Sequence, residues 1–429
     1  MPNIISDLTV KFQSLLLDIF SNFGALIGFI ILFPLTTSVW LWWKQILFKN
    51  NMVWITLEIV PPRETRKSPK AMEQILTSLY SLRNAPGNFF EKWWDGEVTQ
   101  WFSLETVSFE GEVHFFVRSP IKFKNVIEAS FYAHYPDCEI MTVDDYTKRF
   151  PQETKEFYER NLDIFGSEII LYKDDAYPIR TYVQFEAIEE EQKIDPISGL
   201  LENLGKLKKG ENFWLQMLIR PADSAWREKA IKLVKELKDK SVIEVPGIET
   251  GKKIKAPMAL TPGETDIIKA IENSMTKPGF DTVIRLIYIA PKTIFDNTFA
   301  NKGITGILNQ YSSMSLNSFW HNINVRTTEM KWHRYPFFKL KERLEGRKQR
   351  VLKDYIGRVF PEELTIGKFL NLNPSNFNFF SKSFVLNSEE LATIYHLPYY
   401  FVLTAPFIQR IESKKTGPPV GLPIFKDVN

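Results

Sequence analysis

Leu104-Glu-Thr-Val-Ser-Phe109 and Val113-His-Phe-Phe-Val117, joined through Glu110-Gly111-Glu112, are two alternating runs rich in β-branched and aromatic residues. The pattern predicts a β-hairpin in which glycine supplies the positive φ of a tight turn. Upstream, Trp54-Ile-Thr-Leu-Glu-Ile-Val60 alternates and stops at Pro61-Pro62, which predicts another strand. Between them Ser68-Pro69 offers a helix start, and Met72, Ile75, Leu76, Leu79 and Tyr80 recur on one helical face. Downstream, residues 123–135 place Val126, Ile127, Ser130 and Phe131 on one side of a predicted helix, and Cys138-Glu-Ile-Met-Thr-Val143 closes as a strand. The order β-α-β-β-α-β over residues 52–150 predicts a ferredoxin-like α+β module.

A similar alternation follows. Residues 151–167, with Glu153, Lys155, Glu156, Glu159 and Arg160, read as a polar connecting helix. Residues 169–172 and 182–185 read as strands, 196–207 as a helix, 213–219 as a strand and 226–237 as a charged amphipathic helix. Between residues 238 and 263 Pro, Gly and Lys predict an exposed loop. A helix over 264–275, an apolar strand over 282–289 interrupted only by Arg285, and a helix over 299–314 complete the pattern. Residues 168–330 are therefore expected to form a second ferredoxin-like module, which makes the fold class α+β.

Ahead of the first module, residues 23–43 run for 21 positions without a formal charge. At about 1.5 Å per residue such a helix covers roughly the 30 Å hydrocarbon thickness of a bilayer. Trp40, Trp42 and Trp43 beside Lys44 form the aromatic and cationic pairing of a membrane interface. No basic leader precedes the run and no small-x-small cleavage site follows it, so it reads as an uncleaved transmembrane helix. In residues 1–22, Ile4, Ile5, Leu8, Phe12, Leu15, Leu16, Ile19 and Phe20 recur at helical spacing, which predicts an amphipathic helix lying on the membrane or packed on the span. Lys44 and Lys49 follow the span, whereas Lys11 stands against Asp7 and Asp18 before it. That bias places the bulk of the chain on the cytoplasmic side of an inner membrane.

Composition narrows the chemistry. The 429 residues hold 54 basic and 51 acidic side chains, so a polyanion contact would have to come from a local patch. A single cysteine, Cys138, rules out an intramolecular disulfide and a multi-cysteine metal site. The five histidines, His114, His134, His321, His333 and His396, stand singly without a zinc-like partner three or four residues away. The nearest approach to a phosphate-binding loop, Gly247-Ile-Glu-Thr-Gly251-Lys252-Lys253, lacks the spacing and the hydroxyl. Asp144-Asp145 and Asp174-Asp175 read as turn carboxylates that could also hold a cation. No catalytic constellation, cofactor site or metal site emerges, and the chain is expected not to be an enzyme.

Two segments suggest contacts. Between residues 331 and 358 ten basic residues meet three acidic ones. A basic helical connector over 331–360 is expected to be either a solvated helix packed on the second module or a surface for DNA or anionic lipid, carried by Lys339, Lys341, Arg343, Arg347, Lys348, Arg350 and Lys353. In the tail, residues 361–429, Ser388 would cap a short helix, with Glu389 and Glu390 in its first turn. Repeated prolines follow among Tyr399, Tyr400, Phe401 and Phe407, rings that either pack back on the second module or dock a partner.

Three stretches resemble a known family. Phe33-Pro34-Leu35 through Trp40-Leu-Trp-Trp43, with Trp54 to Val60 and Lys67-Ser-Pro-Lys-Ala-Met-Glu-Gln74, form the first; the hairpin from Phe102 to Arg118 is the second. The third joins residues 384–398 to Thr404-Ala-Pro406 and Gly417-Pro-Pro-Val-Gly-Leu-Pro423. Together they are similar to the membrane-anchored module that stands ahead of, or beside, the conjugation and type IV secretion ATPases of the HerA/FtsK-like class. The resemblance carries no catalytic residue across, and no nucleotide-binding domain follows in this sequence. It implies a non-enzymatic scaffold or docking component for a separate secretion or conjugation ATPase, with a homo-oligomer open as a further arrangement. A membrane-tethered nucleic-acid-binding protein is the alternative.

Overall fold

The computed structural model describes residues 26, 28–30, 32–62, 67–185, 194–240, 242–246, 253–257, 260–328, 339–362, 364–370, 376 and 378–399. The amphipathic helix expected over residues 1–22 lies outside them. In chain order the helices are α1 (Gly28–Asn51), α2 (Lys70–Ser81), α3 (Lys124–His134), α4 (Thr154–Glu159), α5 (Ser198–Gly205), α6 (Ala225–Lys240), α7 (Pro262–Met275), α8 (Ile304–Leu308), α9 (Leu340–Ile356), α10 (Thr365–Leu370) and α11 (Ser388–Ile394). The strands are β1 (Trp54–Val60), β2 (Phe102–Phe109), β3 (Glu112–Pro120), β4 (Glu139–Val143), β5 (Leu162–Leu171), β6 (Asn212–Pro221), β7 (Val242–Pro246), β8 (Lys253–Pro257), β9 (Gly279–Pro291), β10 (Phe319–His321) and β11 (Phe384–Asn387). Two units divide the chain: a smaller one of Met1–Met52, Asn84–Thr99 and Glu362–Pro374, and a larger one of Val53–Arg83, Gln100–Pro361 and Ser375–Asn429.

The larger unit is a mixed α+β structure built on one antiparallel sheet, in the order β10-β5-β9-β6-β2-β3-β1-β4, with β11 also paired to β9. The order repeats. Counted within its own half, each set of four strands runs fourth, first, third, second, and the halves meet where β2 pairs β6 with Glu105 opposite Gln216. Residues 52–150 and 168–330 thus share a single sheet. The hairpin forms as its alternation predicts, with Glu110 and Gly111 both at positive φ (54° and 98°).

Alternation fixes the two faces. Leu104, Phe115, Leu215 and Leu286 point into one core with Ile75, Phe131, Leu200, Leu308 and Leu391 from α2, α3, α5, α8 and α11. Val107, Phe116, Trp214 and Ile287 point the other way, onto Phe157 of α4 and Leu352 and Tyr355 of α9. Because both faces are covered, β2 is buried along nearly its whole length.

Four elements differ from expectation. The polar helix over 151–167 is only α4; Asn161 turns at φ 57° and β5 begins at the next residue. Residues 182–184 form a 3-10 turn instead of a strand, because the Tyr182 N–H donates to Thr393 Oγ1 (2.9 Å) rather than to a neighbouring strand. The loop over 238–263 contains the β7–β8 hairpin. The helix over 299–314 breaks into a π turn (Phe299–Gly303), α8 and a 3-10 turn (Asn309–Tyr311). In addition, α11 is capped by Asn387 rather than Ser388: Asn387 Oδ1 accepts from the Glu390 N–H (2.9 Å) and Glu390 Oε2 accepts from the Asn387 N–H (2.9 Å).

Candidate functional site

The basic segment is chiefly α9, which packs over β5 and the second face of the sheet. At 3.6 residues per turn its cations spread around the helix, and those facing the sheet leave water. Arg343 and Arg347 are buried; Lys339, Lys341 and Lys353 are exposed. Arg347 donates to Asn324 O (2.6 Å) and to Asn378 Oδ1, while burial and then Arg343 push its guanidinium down to about 10. Lys348 Nζ holds Asp163 Oδ1 (2.7 Å) and Tyr158 Oη (3.1 Å), and Arg350 lies 4.7 Å over the Phe379 ring. The seven residues expected to contact a polyanion therefore do not gather into one open patch.

What α9 covers is a row of charge across the sheet. Glu168 of β5, Arg285 of β9, Gln216 of β6 and Glu105 of β2 stand opposite one another in register, all buried. Arg285 Nε donates to Glu168 Oε1 (2.9 Å) and Arg285 Nη1 to Asp354 O on α9 (3.1 Å). Just beyond α9, Arg358 turns back at φ 48° and places its guanidinium between two carboxylates. It donates to Glu105 (2.9 and 3.1 Å) and to Asp145 (2.6 and 3.0 Å), and Asp145 also holds Arg118.

Glu105 is also met by Ser103 Oγ (2.5 Å), Tyr146 Oη (2.6 Å) and Gln216 Nε2 (3.1 Å). Burial pushes the Glu105 carboxyl up, but Arg358 and these hydrogen bonds outweigh it and hold it below the ordinary carboxylate value. The same balance lowers Asp145. Each charge answers another charge within the protein. Such a cluster fastens α9 to the sheet, and a buried pair of this kind is costly to break from one side.

Of the two carboxylate pairs of the sequence, Asp145 serves two arginines and Asp175 Oδ2 accepts from the Val385 N–H (3.1 Å). His114 Nδ1 lies 2.6 Å from Glu58 Oε1, and His396 Nε2 lies 2.7 Å from Asp195 Oδ1. The second Asp195 oxygen accepts from the Tyr399 N–H (2.8 Å), so Tyr399, a residue expected to dock a partner, is buried in its own chain. Tyr400, Phe401 and Phe407 lie outside the described residues. Among the described residues no group of three or more His, Cys, Asp and Glu side chains is placed to hold a metal.

In the smaller unit α1 is long and apolar enough to cross a membrane, with mean hydropathy 1.2 and only 6% of its most apolar stretch buried. Phe29, Ile30, Leu32, Phe33 and Leu35 are exposed, whereas Leu41 is buried. From Trp40 onward the helix has neighbours: Trp40 Nε1 donates to Trp93 O (2.9 Å) and Lys49 meets Glu362 (3.3 Å). Periodicity assigns no role to residues 84–99; the available signal is four aromatic rings among the six residues from Phe89 to Trp94.

No curated protein matches this sequence. A family model does: residues 45–407 match the domain of unknown function DUF8128, a span that begins near the end of α1 and takes in the sheet, α9 and the aromatic segment. Because the match covers most of the sequence, the chain belongs to the DUF8128 family.

Proposed function

We propose that this protein is a non-enzymatic, membrane-anchored component of a translocation machine of the conjugation or type IV secretion kind, and that it docks a separate motor ATPase. α1 anchors it once in the inner membrane, and the sheet domain stands on the cytoplasmic side as two ferredoxin-like halves, one of β1, β2, β3 and β4 and one of β5, β6, β9 and β10, fused through β2 and β6. The observation that carries the reading is α1, whose apolar side chains are left bare over its first turns. Apolar surface in water forgoes about 25 cal/mol for each Å² that lipid would cover, so a bilayer is the medium that fits this helix. The motor as partner comes from the resemblance of the anchor, hairpin and tail motifs. A platform role agrees with the internally paired charge under α9, and burial of Arg343 and Arg347 weakens the nucleic-acid alternative.

The test is purification of the full-length chain from its native membranes in mild detergent. A nucleotide-binding motor protein is expected to co-purify, and the separated chain is expected neither to bind ATP tightly nor to hydrolyse it. Saturable ATP hydrolysis by the chain alone, abolished by a point substitution within it, overturns the reading.

A further inference from the structure

Asn88-Phe-Phe-Glu-Lys-Trp-Trp-Asp95 leaves three large rings in the open: Phe89, Phe90 and Trp94 are 69, 71 and 63% exposed. We propose that this segment is a second membrane contact, with those rings seated in the interfacial layer of a phospholipid bilayer beside the end of α1. The proposal deepens the reading of α1 as a membrane span and rests on it.

Position is the first argument. The segment is fastened to α1 where the bare apolar stretch gives way to contacts: Trp94 lies 5.9 Å from Trp40 between ring centroids, and Lys44 Nζ stands 5.6 Å from the Trp40 ring and 5.8 Å from the Trp94 ring. Gly96, at φ +73°, lets the chain pass the helix backbone, because a Cβ there would lie 2.4 Å from the Lys44 carbonyl carbon. Rings held at this level of a span fall where tryptophan and lysine settle in a membrane, between acyl chains and headgroup phosphates.

The segment's own polar groups are the second argument. Backbone leaving water for the edge of a bilayer is transferred at least cost when its hydrogen bonds are already made. Here Glu91 closes the turn: its carboxylate accepts from the Gly87 N–H (2.6 Å) and from Asn88 Nδ2 (2.7 Å), and its own N–H donates to Asn88 Oδ1 (2.9 Å). The Glu97 N–H returns to Glu91 O (2.9 Å). These bonds close the loop on itself while Phe89, Phe90 and Trp94 stand open, with Lys92 and Asp95 exposed beside them at the level of the headgroups. Phe89 stacks on Trp93 at 5.9 Å and meets Phe90 edge-on at 6.0 Å, which makes one continuous aromatic surface.

The experiment uses the full-length chain carrying Cys138→Ala, so that one introduced thiol is the only one, reconstituted in vesicles of phosphatidylcholine and phosphatidylglycerol. Single spin labels are placed through Phe89→Cys, Phe90→Cys, Leu32→Cys on the span, or Met314→Cys on an open loop. Collisions are read with oxygen, which concentrates in lipid, and with a water-soluble nickel chelate. The labels at 89 and 90 are expected to show an oxygen-to-nickel ratio severalfold above that at 314 and below that at 32, as for a site at the boundary of acyl chains and headgroups. Free nickel access at 89 and 90 with a lipid-like label at 32 overturns the proposal and leaves the span standing. Shielding of 89 and 90 from both reagents means protein covers the rings, a second copy or another partner, and overturns it too. Nickel access at 32 overturns the span, and the second contact with it.

Discussion

Arg358 offers the sharpest test of how α9 is held. Replacing it with methionine keeps the apolar stem but removes a guanidinium that spans Glu105 and Asp145. Asp145 retains Arg118 and its bonds to Thr147, whereas Glu105 is left fully buried with only neutral donors from Ser103, Tyr146 and Gln216. Removing one partner of a buried pair costs about 3–5 kcal/mol, and the Glu105 side places Arg358→Met in that range. The pH dependence follows in sign. In the native protein Glu105 and Asp145 sit below their unfolded values, so their contribution is present above about pH 4 and is lost as pH falls through the folded values. In Arg358→Met burial dominates at Glu105, the carboxyl takes a proton more readily, and the deficit against wild type shrinks as the solution is acidified. Urea unfolding of the full chain in detergent micelles, followed by its tryptophan fluorescence, to which Trp214 beside Tyr146 and Tyr355 contributes, measures both effects. Adding Glu105→Gln should recover at least about 2 kcal/mol, the size of coupling seen between groups of one buried network. A loss below about 1 kcal/mol, or no coupling with Glu105→Gln, would refute the reasoning, since either result means that the pair is not desolvated as described.

Further outcomes follow from the same structure. Arg347→Glu sets a carboxylate against Asn324 O and Asn378 Oδ1 and should destabilise by about 3 kcal/mol or more, whereas Lys341→Glu and Lys353→Glu should each change unfolding by less than about 0.5 kcal/mol; equal effects from all three would remove α9 from the core. Glu390, raised to about 8 chiefly by burial, is ionised in the unfolded chain before it is ionised in the folded one, so the stability it gives is full below about pH 4.5 and fades as pH rises to about 8. Glu390→Gln should therefore gain on wild type by about 1 kcal/mol or more between those limits in parallel urea titrations; a gap independent of pH contradicts it. Asp195→Ala removes the acceptor shared by the Tyr399 N–H and His396 and should open the backbone from His396 to Tyr399 to limited proteolysis, and an unchanged digestion pattern there would deny the clasp.

Legibility in the sequence tracked how local the governing contacts are. The hairpin, β1, β6, β9, α2, α3 and α7 carry their periods within themselves and formed as those periods predict. β5 did not announce its first half, because Asp163, Gly166 and Glu168 break the apolar pattern, and Glu168 is tolerated through distant partners, Arg285 at a separation of 117 residues together with Asn322 and Ser381. α9 misled for the same reason. Its charges look like a solvated face until Asp163, Asn324 and Asn378 are brought to them by the fold. Arg358 and Glu105 are 253 residues apart, and a single sequence holds no sign of their pairing. At residues 89–94 the aromatic density was visible but carried neither helical nor strand period, so its meaning appeared only with the turn packed on Trp40.

The claim on which the functional reading depends is that α1 resides in lipid. Membranes carrying the full-length chain, washed with alkaline carbonate and sedimented, test it most directly. The account predicts that the chain stays in the pellet until detergent dissolves the bilayer, and recovery of the intact chain in the carbonate supernatant would contradict it.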